Sequence, residues 1–188
     1  MSKETKPDGQ GPPRHDVPDR VENVDWSAWR ADDVATLTFV RRSNEVLLIR
    51  KKRGLGAGKV NAPGGRVEGE ESIEECAVRE VEEELHVTPA RLDRRGELRF
   101  QFLDGYALHV HVIFASDHDG TAQETDEAAP MWTPVDAVPY DEMWADDRFW
   151  LPHALAGHHV DGRFIFDHHD MLDMDLRVRM RGLEGQSG

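Results

Sequence analysis

Cysteine is the residue this sequence most conspicuously lacks, with Cys76 alone among 188 residues. A single cysteine cannot close an internal disulfide, and its place beside Ala77 predicts an inert buried thiol. The sequence also lacks a run of ~20 apolar residues, which a membrane-spanning helix requires. No charged segment followed by an apolar stretch marks a signal peptide. Together these absences predict a cytoplasmic protein that does not contact a membrane.

Positive charge is also scarce. The chain carries 23 Lys and Arg against 37 Asp and Glu, which gives a formal net charge of −14. Such a surface repels phosphate groups and argues against a nucleic-acid polymer as a partner. The basic residues are unevenly distributed, however, and we expect a local positive rim just before an acidic segment. Its members are Arg41, Arg42, Arg50, Lys51, Lys52, Arg53, Lys59 and Arg66.

The two ends of the chain have few apolar residues. Residues 1 to 30 are rich in Pro, Gly and charge, which predicts a disordered leader with some order near Trp26 and Trp29. Residues 181 to 188 resemble a flexible tail. The remaining residues, 31 to 180, are long enough for one domain with its own core. We expect this domain to be a monomer.

Apolar periodicity between these ends alternates between the strand and the helix pattern. Seven strands are predicted, over 35–40, 45–50, 97–103, 107–114, 131–135, 162–166 and 173–180. Two helices are predicted, one that starts near Ser72 and one over residues 146 to 156. Strands and helices in this mixed order predict an α+β fold, or an αβα sandwich around a mixed β-sheet.

The first predicted helix is strongly acidic. Ser72 and Glu75 have the spacing of a capping box, which predicts the helix start. Glu80, Glu83 and Glu84 lie at i, i+3 and i+4, so their carboxylates crowd onto one side of one turn. Divalent cations would convert this repulsion into a binding site, because Mg²⁺ is held by carboxylates together with substrate phosphates. The alternative from the residues alone is a solvated acidic face.

The spacing of this segment decides between the two readings. Residues Gly65 to Val87 resemble the Nudix box, G-x5-E-x7-R-E-U-x-E-E-x-G-U, in which U is a bulky apolar residue. Every defined position matches except the last glycine, where His86 stands. The resemblance implies the Nudix fold and a hydrolase, dependent on Mg²⁺ or Mn²⁺, that acts on a nucleoside diphosphate linked to another group.

Segments outside the box resemble one particular type of Nudix hydrolase. Residues Lys51 to Gly58, Asn61 and Met143 to Trp150 are similar to segments of the oxidised purine nucleoside triphosphate hydrolases of the MutT-homologue type. That similarity runs from about Thr36 to Met180. It implies hydrolysis of substrates such as 8-oxo-dGTP and 2-oxo-dATP to the monophosphate and pyrophosphate, which sanitises the nucleotide pool.

The resemblance also implies the roles of individual residues. Metal would be bound by Glu80, Glu83, Glu84, Glu127 and the carbonyl of Gly64, and one of the three box glutamates would be the general base. The nucleotide would be bound by Thr36, Lys51, Asn61, Gly64, Gly65 and Arg66, while Trp144 stacks on the purine and Asp146 and Asp147 read its edge. Two adjacent carboxylates do not readily ionise together, so we expect one aspartate to keep a proton and to donate as well as accept hydrogen bonds.

Three positions depart from the pattern. Leu55 and Pro63 replace aromatic residues that are common there, and His86 replaces the glycine that ends the helix. We expect His86 to adopt the left-handed conformation at a cost of about 1 kcal/mol. Two other functions remain open: a Nudix hydrolase of ADP-ribose or a dinucleoside polyphosphate, and a nucleotide sensor without activity. For the aspartate pair alone, the alternative is stabilisation of a helix N-terminus.

Histidine is comparatively abundant, with ten residues. None is spaced with cysteines, and none lies in an H-E-x-x-H helix, as zinc sites require. His109 and His111 face the same way on a predicted strand, and the two His-His pairs lie near loops. We therefore expect these histidines to lie on the surface or in loops, without a metal.

Overall fold

A computed structural model describes residues 17–180. Residues 181–188, predicted as a flexible tail, and the first 16 residues of the predicted leader lie outside the described residues. Within residues 17–180 the helices are α1 (Ile73–Leu85) and α2 (Asp147–Leu155), with 3₁₀ turns at Val21–Asn23 and Tyr140–Glu142. The strands are β1 (Asp33–Arg42), β2 (Glu45–Lys51), β3 (Val60–Asn61), β4 (Thr88–Phe102), β5 (Ala107–Asp119), β6 (Ala128–Pro134), β7 (His159–Asp167) and β8 (Asp170–Arg179). In this part of the chain, no helix is long and apolar enough to cross a membrane.

The strands form a mixed sheet in the order β3-β2-β1-β5-β4-β7-β8, with β6 paired to β2. β1 runs parallel to β5, and β4 runs parallel to β7, whereas the β4–β5, β2–β6 and β7–β8 pairs are antiparallel. The parallel pairs put β1 and β5 at the centre, so their residues are buried on both faces. The observed mixed sheet with two helices confirms the predicted α+β fold.

Alternation along the strands builds one core on each face of the sheet, because successive side chains point to opposite faces. Phe39 packs in the core beneath α2, where Trp150 and Leu151 are fully buried, whereas the next residue, Val40, packs in the core beneath α1. Val81 and Leu85 contribute the helical side of that second core. The helices therefore cover opposite faces, as in an αβα sandwich.

All seven predicted strands overlap observed ones, but two pieces of the sheet were missed. β3 has only two residues, too few to show a period. The first half of β4 was missed because its pattern is broken, with a register shift between Arg94 and Gly96 and a left-handed residue at Arg91. Tertiary pairing with β5 holds these residues in the sheet despite the weak pattern.

Both ends of α1 match the prediction. Ser72 Oγ accepts a hydrogen bond from Glu75 N, and the Glu75 carboxylate accepts one from Ser72 N, which completes the capping box. His86 follows the helix in the left-handed conformation, with φ of 58°, and its N–H donates to Glu82 O. A Schellman-type or αL cap needs a residue in this conformation, so His86 ends the helix where glycine is usual, at some conformational cost.

Residues 17 to 30 of the predicted leader make specific contacts with the sheet, in the region of the two tryptophans where some order was expected. Val21 is buried, and its N–H donates to Asp173 Oδ2 on β8 at 2.9 Å. The indole of Trp26 donates to Val21 O, and the indole of Trp29 donates to Gln101 Oε1 on β4. The segment has no periodic pattern, so its two tryptophans were the signal for these contacts, and Trp29 anchors the segment to β4.

Candidate active site

A cavity of about 350 Å³ opens on the α2 face of the sheet, beside the loop that leads into α1. This volume suits a small-molecule ligand. All nine residues predicted to bind the nucleotide line it: Thr36, Lys51, Asn61, Gly64, Gly65, Arg66, Trp144, Asp146 and Asp147. They come from β1, β2, β3, the Gly64–Gly65 loop and the start of α2, so tertiary structure gathers residues that are more than 100 positions apart.

Glu84 and Glu80 hold the glycine loop against α1. Glu84 is 2% exposed, and its Oε2 accepts a hydrogen bond from Gly64 N at 3.0 Å. A Cβ on Gly65 would lie 2.4 Å from the Glu80 carboxylate, and one on Gly64 would lie 2.0 Å from the Thr36 carbonyl oxygen. Only glycine therefore permits the close approach of Gly65 to the acidic helix and of Gly64 to the backbone of β1.

Burial changes the acidity of both glutamates. Desolvation raises the pKa of Glu84 to about 7, although the Gly64 N–H and the positive charge of Lys51 oppose this shift. Desolvation also raises the pKa of Glu80, with Arg79 opposing it. Carboxylates that lose hydration in this way gain strongly from a cation placed beside them. This donor set of hard oxygen atoms fits Mg²⁺.

Arg79 joins the box residues to one another. Its Nε and Nη2 form two bonds with the Glu71 carboxylate, at 3.0 and 2.6 Å. Its Nη1 donates to Glu80 at 2.8 Å and to Glu83 at 3.2 Å, and its Nη2 also reaches Arg66 O. The guanidinium holds the pKa of Glu71 down at about 2. Arg79 thus fixes the orientation of the loop and the glutamates together.

Glu83 and Glu127 lie further from the buried pair. The Glu83 side chain is 60% exposed, and Glu127 pairs with Arg53 at the surface. Glu127 nevertheless acts electrostatically on Glu84, because Thr125 Oγ1 donates to Glu84 O and ties that loop to the end of α1. Among residues 17–180, no three of the predicted metal-binding carboxylates come within 4.8 Å of one another.

Asp146 and Asp147 are both 2% exposed at the start of α2. Asp146 Oδ2 accepts from the Trp150 indole at 2.9 Å, while Asp147 Oδ2 accepts from Trp144 N at 3.0 Å. Asp146 immediately precedes α2 without a side-chain capping bond, and Asp147 is the acidic residue of its first turn. Desolvation raises the pKa of both carboxyls, and repulsion from Asp146 adds to the rise at Asp147.

Trp144 forms one wall of the cavity. Lys59 Nζ lies 5.2 Å from its ring centroid, and the ring packs edge-on against Phe166. A Cβ on Gly56 would meet the indole nitrogen at 3.0 Å, so the 54–58 loop closes against this ring. Leu55 also lines the cavity and is 50% exposed, which leaves it accessible to a ligand. Pro63 contributes its carbonyl to Thr38 N.

Thr36 and Asn61 border the cavity, and each side chain already makes one polar contact within the protein. Thr36 Oγ1 lies 3.5 Å from Cys76 Sγ, and Asn61 Oδ1 accepts from Ala62 N at 2.8 Å. The amide nitrogen of Asn61 remains to donate to a ligand. Cys76 is free and buried, as predicted, and burial raises the pKa of its thiol to about 11, which disfavours the reactive thiolate.

The predicted positive rim is largely neutralised. Arg50 pairs with Glu142 and Lys52 with Glu124, while Arg42 packs on Trp132, away from the cavity. Of the eight basic residues, only Lys51 and Arg66 line the cavity. Arg66 Nε lies 3.1 Å from Asp33 Oδ2, which also accepts from the Tyr106 hydroxyl. The sequence overestimated the positive charge near the cavity, because closeness along the chain does not reveal these ion pairs.

An apolar floor of the cavity was missed by sequence reasoning. β4, β5 and β7, with the β4–β5 turn, supply Phe100, Phe102, Tyr106, Leu108, Val110 and Phe166 to it. The alternation in β4 put Phe100 and Phe102 on one face, which was a usable signal. It did not identify a ligand surface, because the same pattern describes any core-facing strand.

Comparison with known proteins agrees with this geometry. The family model of the NUDIX domain matches residues 30–154. An oxidized purine nucleoside triphosphate hydrolase of Danio rerio is 40% identical over 138 residues, which cover 73% of this chain and 88% of that protein. The protein of the same name from Mus musculus is 38% identical over 144 residues, with coverage of 76% and 92%.

Solved structures give the same result for the fold. The MutT protein of Bacillus halodurans superposes with a TM-score of 0.70 at 27% identity, covering 77% of this chain and 97% of its own. A MutT NUDIX hydrolase of Burkholderia pseudomallei gives 0.54 at 29% identity, with coverage of 57% and 86%. The box on α1, the sheet topology and these matches agree, and the chain therefore belongs to the Nudix hydrolase family.

Proposed function

We propose that this protein hydrolyses oxidised purine nucleoside triphosphates, such as 8-oxo-dGTP and 2-oxo-dATP, to the monophosphate and pyrophosphate, with Mg²⁺ or Mn²⁺ as cofactor. Such an activity sanitises the nucleotide pool and prevents DNA damage. Relatives that carry the name oxidized purine nucleoside triphosphate hydrolase, at 38–40% identity over most of the chain, support the proposal. A cytoplasmic monomer is the expected form, on the grounds of composition alone.

The observation that carries the proposal is the aspartate pair in the cavity wall. Asp146 Oδ1 is buried and has no hydrogen-bond partner among the described residues. A buried polar atom without a partner costs about 1–3 kcal/mol, which a ligand with a complementary edge would relieve. Asn61 and Trp144 line the same cavity, so an amide and an aromatic face are available to the same ligand.

The protonation of the pair accounts for recognition of two different oxidised bases. Raised pKa values at Asp146 and Asp147 favour a state with one proton shared between the two carboxyls. The protonated carboxyl donates a hydrogen bond, and the ionised one accepts, so the pair can match purine edges of either polarity. Stacking on Trp144 adds ~1–3 kcal/mol for any base.

The residues of α1 and its neighbouring loops would serve the triphosphate. Nudix hydrolases generally use a divalent metal, and here Glu80, Glu83, Glu84, Glu127 and the Gly64 carbonyl would hold it. When bound, the metal neutralises phosphate charge and lowers the pKa of a water molecule. Lys51 and Arg66, at the cavity, would pair with phosphate oxygens. Glu80, Glu83 and Glu84 are all candidates for the general base.

The deciding experiment is steady-state hydrolysis of 8-oxo-dGTP, 2-oxo-dATP, dGTP and ADP-ribose side by side with Mg²⁺, with products identified by chromatography. We expect the two oxidised substrates to have the highest kcat/KM and to release pyrophosphate. Preference for ADP-ribose would refute the proposal in favour of another Nudix substrate class. Binding of a nucleotide without any hydrolysis would refute it in favour of a sensor.

A further inference from the structure

A second group of potential metal ligands lies on the face of the sheet that α1 covers. Glu97 of β4 and His109 and His111 of β5 place one ligand atom each within 4.8 Å of one another. Glu97 Oε2 lies 3.1 Å from His109 Nε2, and Glu97 Oε1 lies 4.0 Å from His111 Nδ1. The expectation that these two histidines are surface or loop residues is wrong, because they lie half-buried in a central strand.

Strand register explains why the three residues meet. Glu97 is the cross-strand partner of His111, and His109 follows two residues away on the same face. Leu108 and Val110, which alternate with the histidines, point to the opposite face and line the nucleotide cavity. The cluster is therefore separated from the candidate active site by the thickness of the sheet.

Neighbouring side chains hold the cluster in place. Arg99 donates to Glu97 Oε2 at 2.7 Å and to Asp161 at 2.8 Å, which fixes the carboxylate from the side. The ring of Trp29 meets His109 edge-on, with centroids 6.3 Å apart. Outer contacts of this kind orient the ligands of a metal site and restrict their motion.

We propose that Glu97, His109 and His111 bind a transition-metal ion of the zinc type. Two imidazoles and one carboxylate form a known class of Zn²⁺ donor set, in which a fourth position is left to water. The His109 and His111 side chains are 21% and 12% exposed, and that of Glu97 is 39% exposed, so an ion can enter from solvent while the ligands stay ordered. Mg²⁺, which prefers oxygen ligands, would not compete well for this site.

The distances are close to those that zinc requires. Tetrahedral coordination with bonds of ~2.0–2.1 Å places ligand atoms roughly 3.3 Å apart. The Glu97–His109 separation of 3.1 Å is already near this value. The Glu97–His111 separation of 4.0 Å is longer, and a small rotation of the side chains would shorten it to the required distance. The carboxylates of Glu97 and Asp161 offset the nearby charge of Arg99.

The test is calorimetric titration of the full chain with ZnCl₂ in a large excess of Mg²⁺, which competes with zinc for the glutamates of α1. We expect one zinc ion per chain in the unmodified protein. His111→Gln and Glu97→Gln should each weaken binding by at least about tenfold, the scale on which even outer contacts of a metal site count. His153→Gln, a change at an exposed histidine of α2, should bind like the unmodified protein.

Absence of zinc binding in excess Mg²⁺ would overturn the proposal, and so would a loss smaller than about tenfold in either variant. Since His111→Gln could disturb the strand pair, NMR of the histidine side chains in the unmodified protein gives a second measurement. Two imidazoles should shift together and saturate at one equivalent of zinc. Shifts spread over other histidines would contradict the site. Neither measurement depends on nucleotide hydrolysis.

Discussion

The two helices carry buried carboxyl groups with different charged and polar neighbours. On α1, Arg79 contacts Glu71, Glu80 and Glu83, so the acidic residues there are organised by a guanidinium. At the start of α2, Asp146 and Asp147 have backbone and indole donors instead, and Lys59 acts on them only at longer range. Burial raises the pKa of the buried carboxyls at both ends of the cavity, but the guanidinium of Arg79 opposes the rise at Glu80, whereas no guanidinium contacts Asp146 or Asp147 among the described residues.

This difference would let one cavity bind two unlike parts of a nucleotide, the polyphosphate and the base. The clustered glutamates of α1, which gain from a cation placed beside them, suit that cation and, through it, a polyphosphate. A carboxyl pair that retains a proton suits the hydrogen-bonding edge of a base. Changes on α1 should therefore affect all nucleotides, and changes at the start of α2 should affect substrates selectively.

The largest effect is expected for Glu84→Gln. This change removes a buried ionisable side chain that we propose as a metal ligand, and we expect kcat/KM to fall by more than about a hundredfold for every nucleotide, because outer contacts of metal sites alone are worth 10–100-fold. The fold should persist, since a glutamine oxygen can still accept from Gly64 N. Glu82→Gln, at an exposed position of the same helix, is the matched control. Near-normal turnover of the Glu84 variant would contradict the role of α1.

Asp147→Ala should give a smaller and selective effect. We expect KM for 8-oxo-dGTP to rise by roughly tenfold to a hundredfold, the value of a hydrogen bond to a charged or buried group. The Mg²⁺ concentration for half-maximal activity should not change. Asp141→Ala, at an almost fully exposed aspartate, controls for loss of charge. An equal loss of kcat/KM for 8-oxo-dGTP and dGTP would contradict the proposal that the start of α2 recognises the base while α1 serves all nucleotides.

The stability of the metal-free protein should depend on pH through Glu84. Its folded pKa of about 7 lies above the ordinary value of 4.5, so the folded state holds the proton more tightly. This stabilisation is fully present below pH 4.5 and is lost as pH rises through about 7, with a total on the order of 3 kcal/mol. Asp146 and Asp147 act with the same sign.

Denaturant unfolding of the unmodified protein and of Glu84→Gln between pH 4.5 and 8, both without metal, isolates this contribution. The free energy of unfolding should fall less with pH in the variant, because the glutamine does not titrate. Added Mg²⁺ should restore stability at high pH in the unmodified protein alone. Parallel pH curves for the two proteins would show that Glu84 is not desolvated as its burial implies.

The smallest effect is expected at the end of α1. His86→Gly should raise the free energy of unfolding by at most about 1 kcal/mol, since glycine adopts the left-handed conformation without strain. His153→Gly, inside α2, should instead lower it by ~0.5–1 kcal/mol. Thermal unfolding of both variants measures the contrast. A loss of stability in the first would mean that the His86 side chain contributes more than its backbone costs.

Much of the site was predictable because local rules place it. The capping box at Ser72 and the i, i+3, i+4 spacing of the glutamates determine which side of α1 is acidic, and the glycines before it mark a close approach. The apolar floor around Phe102 was not predictable, because a core strand and a ligand surface share one pattern. The pairing of Glu97 with His111 was not predicted from the sequence, because it depends on the register between two strands.

The sequence by itself determined the helix with its caps, the strand alternation that separates two cores, and the spacing that identifies the family. Each of these is a short-range property, governed by backbone geometry and hydrogen bonds over a few residues. Only the tertiary structure decided that Asp146 and Asp147 are desolvated, that Glu83 is exposed while Glu84 is buried, and that the basic rim is neutralised. Burial and charge pairing depend on what packs nearby from distant parts of the chain, and therefore on the folded sheet.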